Sequence, residues 1–299
     1  MPAASAKPAF SRVALIGKLR TPEIAASLRA LRELLEKRGC ETLLESETAA
    51  GLGARGADYD AIGKSADLAI VVGGDGTMLA AARSLVRHHV PLTGVNQGRL
   101  GFMTDIGHDD MQRGIGGILE GQYTVEERSL LDAEIVRGTQ TVLKTLALNE
   151  AVLGKGAQGR LIEFDLSIDG EFVYTLRADG VIVATPTGST GYALSAQGPI
   201  LHPAVPALAL VPLNPHTLSA RPVSVSDRSK IDITLVRALD ARAHFDGFAL
   251  TDMAEGDRLL LRRSADTIRF VHPAGYRYFA TLREKLHWSE ALHKARSTE

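Results

Sequence analysis

Cysteine is nearly absent: Cys40 is the only one in 299 residues. A single thiol excludes a disulfide framework within the chain and a thiolate-rich zinc site. Cys40 lies in an apolar-rich helical stretch and reads as a small buried residue. An excess of charge is missing too, since 34 Lys and Arg face 35 Asp and Glu for a net charge of −1. A chain so balanced has no overall electrostatic drive toward nucleic acid or an anionic membrane, so neither is an expected partner. Any phosphate-binding capacity must then be local. Long apolar runs are lacking as well. The most apolar stretch, Ala204 to Leu213, is short and broken by Pro206 and Pro212, and no segment reaches the roughly 18 residues that suggest a membrane helix. Met1 to Arg12 has no apolar run of the signal-peptide kind. The expectation is a soluble, reduced, cytoplasmic protein. The nine histidines show no metal-ligand spacing, and there is no internal repeat or low-complexity linker.

What is present suffices for a large core: 45% hydrophobic residues, 23% charged, and a length that suggests about two domains. The first third alternates short apolar runs with helical patterns. Val13–Ile16, Thr42–Leu44, Leu68–Val72 and Pro91–Val95 read as strands. Pro22–Lys37, with Ile24, Leu28, Leu31, Leu34 and Leu35 on one stripe, and about Met78–His88 read as helices. This rhythm predicts a parallel sheet with helices on both faces. From Tyr123 to about Pro273 the signals are short β-rich runs, among them Val125–Val136, Thr141–Leu153, Leu161–Ile168, Phe172–Leu176 and Val181–Ala184. Ile231–Leu235 and Leu259–Leu261 continue them, and turn signals such as Asp169-Gly170 lie between runs. They predict an all-β sandwich. Phe279–Trp288 returns to a helical pattern, and Tyr278 and Trp288 read as packing residues. The expected boundaries are residues 1–123 and 124–273.

Two glycine patterns are decoys. Gly51-Leu52-Gly53-Ala54-Arg55-Gly56 has dinucleotide-fingerprint spacing but no preceding strand, and reads as a flexible loop. Gly63-Lys64-Ser65 lacks the earlier glycine of a P-loop, having Asp58 in its place, and reads as a helix start or turn. Gly73-Gly74-Asp75-Gly76-Thr77 has the right context, with an apolar strand before it and a helix after. Its glycines let several main-chain amides converge where phosphate oxygens sit, and the helix adds its N-terminal dipole. A bare carboxylate would repel phosphates there. Asp75 therefore makes chemical sense as a proton acceptor or a divalent-cation ligand, set against the bland reading of a helix cap. Asn149-Glu150 ends an apolar run, and an amide beside a carboxylate can grip a pair of sugar hydroxyls; a strand-end turn is the simpler reading. The stretch Asp179 to Tyr192 leads a buried-looking strand into a loop rich in hydroxyls and glycine, suited to a polar ligand, with Tyr192 able to pack on a ring.

Taken in order, Gly73–Thr77, Asn149-Glu150, and Asp179-Gly180 leading to Thr185-Pro186-Thr187-Gly188-Ser189-Thr190 resemble the bacterial NAD kinase family. Asn96 through Phe102, Pro215–Pro222 and Leu282–Trp288 support the resemblance. It implies a Rossmann-like N-terminal α/β domain, similar to phosphofructokinase and diacylglycerol kinase, completed by residues 274–299 as the C-terminal helix returns to it. The β-rich domain would then bind the dinucleotide. The implied reaction moves the terminal phosphoryl group of ATP, or of polyphosphate, to the adenosine ribose 2′-hydroxyl of NAD, with Mg²⁺ or another divalent cation. Asp75 is the implied base, with Gly73, Gly74, Gly76 and Thr77 around the phosphates. Asn149, Glu150, Arg160, Arg177 and Asp179 resemble dinucleotide contacts. Phe102 resembles an adenine-site aromatic, and Thr187, Thr190, Gly191, Tyr192, Ala193, Leu194 and Ser195 an adenine-side loop. A homo-oligomer, dimer or tetramer, is implied, with Asp246 offered to a neighbouring subunit's site. Gly191, Gln197 and Phe248 depart from the alanine, glycine and glutamine common in relatives. A lipid kinase of the diacylglycerol type, sharing the glycine-rich loop, is the alternative.

Overall fold

The computed structural model describes residues 8–18, 21–98, 101–157 and 160–288. Its contacts divide the chain into one unit of residues 1–126 with 268–299 and another of residues 127–267. Arg99 and Leu100, two of the residues that carried the resemblance, lie outside the described residues.

In the first unit the apolar runs become strands, three of them almost wholly buried and one, Glu41–Leu44, partly exposed. These are β1 (Arg12–Gly17), β2 (Glu41–Leu44), β3 (Leu68–Val72) and β4 (Leu92–Val95), all parallel, in the order β2-β1-β3-β4. Every residue of β3 is fully buried, which explains its uninterrupted hydrophobicity. Between the strands run α1 (Pro22–Lys37), α2 (Ser46–Leu52), α3 (Tyr59–Ser65) and α4 (Asp75–Leu85); α5 (Met111–Leu119) follows β4. Pro22 opens α1, where its missing N–H costs nothing, and Leu28, Leu31 and Leu35 are wholly buried. Each such leucine stabilises by about 1.5–3 kcal/mol relative to exposure.

The decoys resolve as ordinary helix parts. Gly53 is the left-handed cap of α2, so the stretch is a helix end rather than a loose loop. Gly63 lies inside α3, where a Cβ would meet the His88 ring at 2.2 Å. The helix expected from Met78 begins three residues earlier and takes Asp75 into its first turn.

The second unit is a two-sheet sandwich. Its strands are β5 (Tyr123–Arg137, entering from the first unit), β6 (Gln140–Ala147), β7 (Glu150–Lys155), β8 (Ile162–Ile168), β9 (Glu171–Ala178) and β10 (Gly180–Ala184). The short helix α6 (Tyr192–Ser195) and β11 (Ala207–Leu213), β12 (Val223–Ser226), β13 (Ile231–Arg237), β14 (Ala241–Phe245), β15 (Ala249–Met253) and β16 (Arg258–Pro273) follow. One antiparallel sheet runs β12-β11-β10-β7-β14-β15, and in the other β8 pairs with both β9 and β13. Alternate residues from both sheets share one core; from β10 it takes Val181 and Val183. The opposite face of the same strand, Ile182 and Ala184, packs under Ala193 and Leu201. That second cover makes β10 apolar throughout. The run expected from Thr141 to Leu153 is broken in two at Leu148-Asn149.

Strand β16 leaves the second unit and ends in the first, where Phe270 pairs in parallel with Leu92 of β4. Helix α7 (Tyr278–Lys285) follows it there. Trp288, expected to pack, is 48% exposed.

Candidate active site

In the first unit, buried β3 delivers the chain into Gly73, whose φ of 153° lies outside the range of ordinary side-chain-bearing residues. The Gly73 amide donates to the Val95 carbonyl at 2.9 Å, tying the turn to β4. Gly74 then caps α4, and Asp75 is its first residue. Gly74 and Gly76 are exposed, and a Cβ on either would meet nothing within 4 Å. Open space therefore lies over a helical first turn, where Thr77 donates its amide to the Gly74 carbonyl at 3.0 Å, the earlier N–H groups face outward and the dipole favours an anion.

The Asp75 carboxylate is half-buried and held from one side. Its Oδ2 accepts the Phe102 amide at 3.0 Å and its Oδ1 the Met103 amide at 3.1 Å. Gly101 permits this approach, because a Cβ there would come within 2.2 Å of Oδ1. Each carboxylate oxygen keeps a further lone pair, so the oriented Asp75 carboxylate still has capacity to take a proton. The bland reading of a helix cap does not describe it: the amides it accepts belong to another loop. Phe102, on that loop, is half-buried, with the Lys285 ammonium 5.7 Å from its ring centroid.

In the second unit, Asp246 creates the break before Asn149-Glu150. Its carboxylate accepts the main-chain amides of Leu148 (2.8 Å), Asn149 (2.7 Å) and Glu150 (3.1 Å). It stands in the β14–β15 turn, where Asp246 and Gly247 have φ of 52° and 72°. Sequence reasoning offered Asp246 to a neighbouring subunit; the structure buries it behind the dipeptide of its own chain. Beside it, Phe248 is 50% exposed.

The hydroxyl-rich loop comes down on the same two residues. Thr185 donates its amide to the Asn149 carbonyl at 2.9 Å and its hydroxyl to that of Leu148 at 2.5 Å. Gly188 packs so closely that a Cβ would fall 2.0 Å from the Asn149 oxygen. A Cβ on Gly191 would lie 3.3 Å from Glu150 Oε2 and 3.4 Å from Asn149 Nδ2. Asn149 Oδ1 and Glu150 Oε2 are buried and have no hydrogen-bond partner among the described residues. Two orphaned acceptors side by side ask for a donor from elsewhere. Burial, reinforced by the Asp246 charge and opposed by the Tyr192 amide, pushes the Glu150 carboxyl up to about 7. It therefore changes charge near neutral pH and can accept or donate.

The remaining predicted residues divide. Thr187 is buried and receives the Arg128 guanidinium at 3.3 Å; Ala193 is buried. Thr190, Gly191 and Leu194 are partly exposed, while Tyr192 and Ser195 are exposed, Tyr192 by 49%. Asp179 is engaged by Lys155 at 2.7 Å and Asn214 at 2.8 Å, and the Lys155 hydrogen bond, then that of Asn214, holds its carboxyl below the usual range. Arg177 stands 3.8 Å from Glu163 on the surface rather than joining the dipeptide, and Arg160 is exposed. Sequence reasoning missed Gly101, Met103, Arg128, Lys155 and Asn214. No spacing signal could link these to partners 24 to 59 residues away.

Comparison with known proteins gives a consistent result. Residues 13–123 match the ATP-NAD kinase N-terminal domain family and residues 148–273 the ATP-NAD kinase C-terminal domain family. The chain is 58% identical over 284 residues to the NAD kinase of Aromatoleum aromaticum, covering 94% of this chain and 95% of that one. It is 50% identical over 288 residues to the NAD kinase of Thiobacillus denitrificans, covering 95% and 99%. Among solved structures, an NAD kinase from Archaeoglobus fulgidus in complex with ATP superposes with a TM-score of 0.74 at 27% identity, over 91% of this chain and 99% of that one. Yeast NADH kinase complexed with NADH shares the fold with a TM-score of 0.88 at 24% identity, over 95% and 89%.

Proposed function

The chain belongs to the NAD kinase family, and from that premise we propose that Asp75 is the base for phosphorylation of NAD and that Asn149 and Glu150 grip the dinucleotide. The lipid-kinase alternative has no support among the relatives. A ribose 2′-hydroxyl is a weak nucleophile at neutral pH. As its oxygen bonds to the terminal phosphorus of ATP, its proton passes to a free lone pair of the Asp75 carboxylate, and the bond from that phosphorus to the bridging oxygen breaks to release ADP. The first-turn amides of α4 face the negative charge of the transferred group. The two orphaned acceptors at Asn149 and Glu150 accept hydrogen bonds from the hydroxyls of a ribose, with exposed Tyr192 and partly exposed Thr190 of the covering loop alongside. Phe102 offers a ring to the adenine. Arg160, Arg177 and Asp179 stay in the proposal as dinucleotide contacts on the family resemblance alone, since Arg177 stands at Glu163 away from the dipeptide.

No group of three or more His, Cys, Asp or Glu converges on a metal position among the described residues. Magnesium or another divalent cation held by the donor's phosphates would supply neutralisation of their charge beside the α4 N-terminus.

The observation that carries the reading is a carboxylate oriented by two amides beside an open helix N-terminus. Asp75→Asn should lower turnover about 10²–10⁴-fold while calorimetric NAD affinity changes little. An equal loss of both would make Asp75 structural. A matrix of ATP and polyphosphate against NAD and NADH, read as formation of the phosphorylated dinucleotide, sets donor and acceptor preference. No helix among the described residues is long and apolar enough to cross a membrane. A cytoplasmic homo-oligomer completes the proposal, supported by exposed Phe172, Val173 and Leu250, and light scattering on the purified protein tests its assembly.

A further inference from the structure

The loop that orients Asp75 is anchored at its far end by a buried charged cluster that no part of the reaction uses. His272, near the end of β16, is 2% exposed. Its Nδ1 lies 2.9 Å from Asp105 Oδ2 and its Nε2 3.5 Å from Glu126 Oε2. The Tyr276 ring stacks on it at 3.9 Å with planes 7° apart, and the Phe270 ring lies 6.4 Å away. Asp105 follows Phe102 and Met103 by only two to three residues. The same loop is held by Asn96, whose side chain donates to the Thr104 carbonyl at 3.2 Å, and by the Ile106 amide donating to Gly94. The Asn96 amide also donates to the Ile106 carbonyl at 2.9 Å and Ile106 packs in the core, while His272 supplies the contact at Asp105 itself.

We propose that His272 is a positioning residue for the phosphoryl transfer: by holding Asp105 it fixes the loop whose amides aim the Asp75 carboxylate. The proposal rests on the reading of Asp75 as the base. An ionic hydrogen bond suits this task because it is strong and directional, and an error near 1 Å in the placement of a reacting group costs about 10²-fold in rate. The titratable groups facing the imidazole are Asp105 from the loop, Glu126 from β5 and Tyr276 from the turn after β16. Burial disfavours the charged imidazole, but the hydrogen bonds and charges of Asp105 and Glu126 together outweigh it and raise its pKa above the ordinary value. Protonated His272 donates its Nδ1–H to Asp105 and holds a second N–H, on Nε2, toward the Glu126 carboxylate at 3.5 Å. The ionic part of the anchor is therefore whole below the usual imidazole range and is lost as pH rises through the raised folded value, leaving at most a neutral N–H on Asp105.

Three variants test this. Asn places its side-chain nitrogen near the Nδ1 position and keeps the donor to Asp105; Gln places its nitrogen near Nε2 and keeps only the contact to Glu126. His272→Gln should lower kcat about 10- to 100-fold with KM for NAD within about twofold, while His272→Asn restores most of kcat and removes the alkaline limb of the wild-type kcat profile. Asp105→Asn, which spares the imidazole, should move that limb to lower pH. The proposal is overturned if folded His272→Gln keeps wild-type kcat, or if the Asn and Gln variants lose kcat equally with equal falls in Tm. It is overturned too if the alkaline limb is unchanged in Asp105→Asn, a result that stands even where His272→Gln fails to fold. Asp75→Asn is run beside them. If it turns over normally, the base reading and this inference both fail; if it is inactive while His272→Gln is active, the inference alone fails.

Discussion

The glycine-rich turn of the first unit and the Asn149-Glu150 dipeptide of the second solve opposite problems. At the turn, a charged group is held from one side, and space lies open over the neighbouring glycines. At the dipeptide, the main chain is clamped by Asp246 from one element and roofed by Thr185 and Gly188 from another, and polar atoms are left buried without partners. The first arrangement suits a group that must act on a passing proton, the second a group that must hold its ligand in one pose. Rate should therefore be the sensitive quantity at one place, and affinity and stability at the other.

The largest expected effects come from a pair of methyl groups. In Gly101→Ala the new Cβ meets only the ends of the Asp75 and Thr104 side chains. They move aside, so turnover should fall about 10²-fold with little change in Tm. In Gly188→Ala it meets the Asn149 main chain at 2.0 Å. NAD affinity and Tm should both fall, the latter through an overpacking cost of about 1–3 kcal/mol. Equal kinetic profiles for the two variants would erase the contrast. Next is Asp246→Asn, which turns an NH₂ toward amides that need acceptors. Leaving them unsatisfied should destabilise by about 1–3 kcal/mol, read by chemical denaturation, and removing the Asp246 charge should lower the Glu150 pKa.

Glu150 itself sharpens the comparison through pH. Its folded pKa of about 7 lies above its ordinary value. The folded state thus binds the proton more tightly, a stabilisation complete below about pH 4.5 and lost as pH rises through 7. Glu150→Gln should flatten that fall, so its advantage over wild type grows from pH 5 to pH 8 by about 1–3 kcal/mol; a parallel pair of stability curves would show that Glu150 is not perturbed. The smallest effect is at Gln197, which holds φ of 63°. Gln197→Gly relieves about 1 kcal/mol of left-handed strain, partly offset by glycine's greater unfolded-state entropy. Calorimetry should show Tm rising by at most about 2–4 °C.

The same contrast explains what could be seen in the sequence. The turn is contiguous: strand, glycines, carboxylate and helix follow one another between Leu68 and Leu85, and local periodicity exposes them. What periodicity could not show is the loop that meets Asp75, because Gly101 to Met103 arrive through tertiary packing. The sandwich was legible as alternation, yet Leu148-Asn149 sits inside an apolar run whose interruption is imposed by an aspartate nearly a hundred residues later. Asp246 was therefore offered to a neighbouring subunit, with nothing in its surroundings to link it to Leu148-Asn149. Helices α2 and α3 were hidden by their short length and by glycines that suggested something grander.

One consequence follows from the path of β16. The first unit's sheet receives its final strand, Ile268 to Pro273, only after every residue of the second unit has been made. On the ribosome the sandwich is therefore finished while its older neighbour still waits for an edge. His272, the partner of Asp105, travels on that late arrival, so a nascent chain that already carries the glycine-rich turn and the dipeptide still lacks this contact until residues 268–273 emerge.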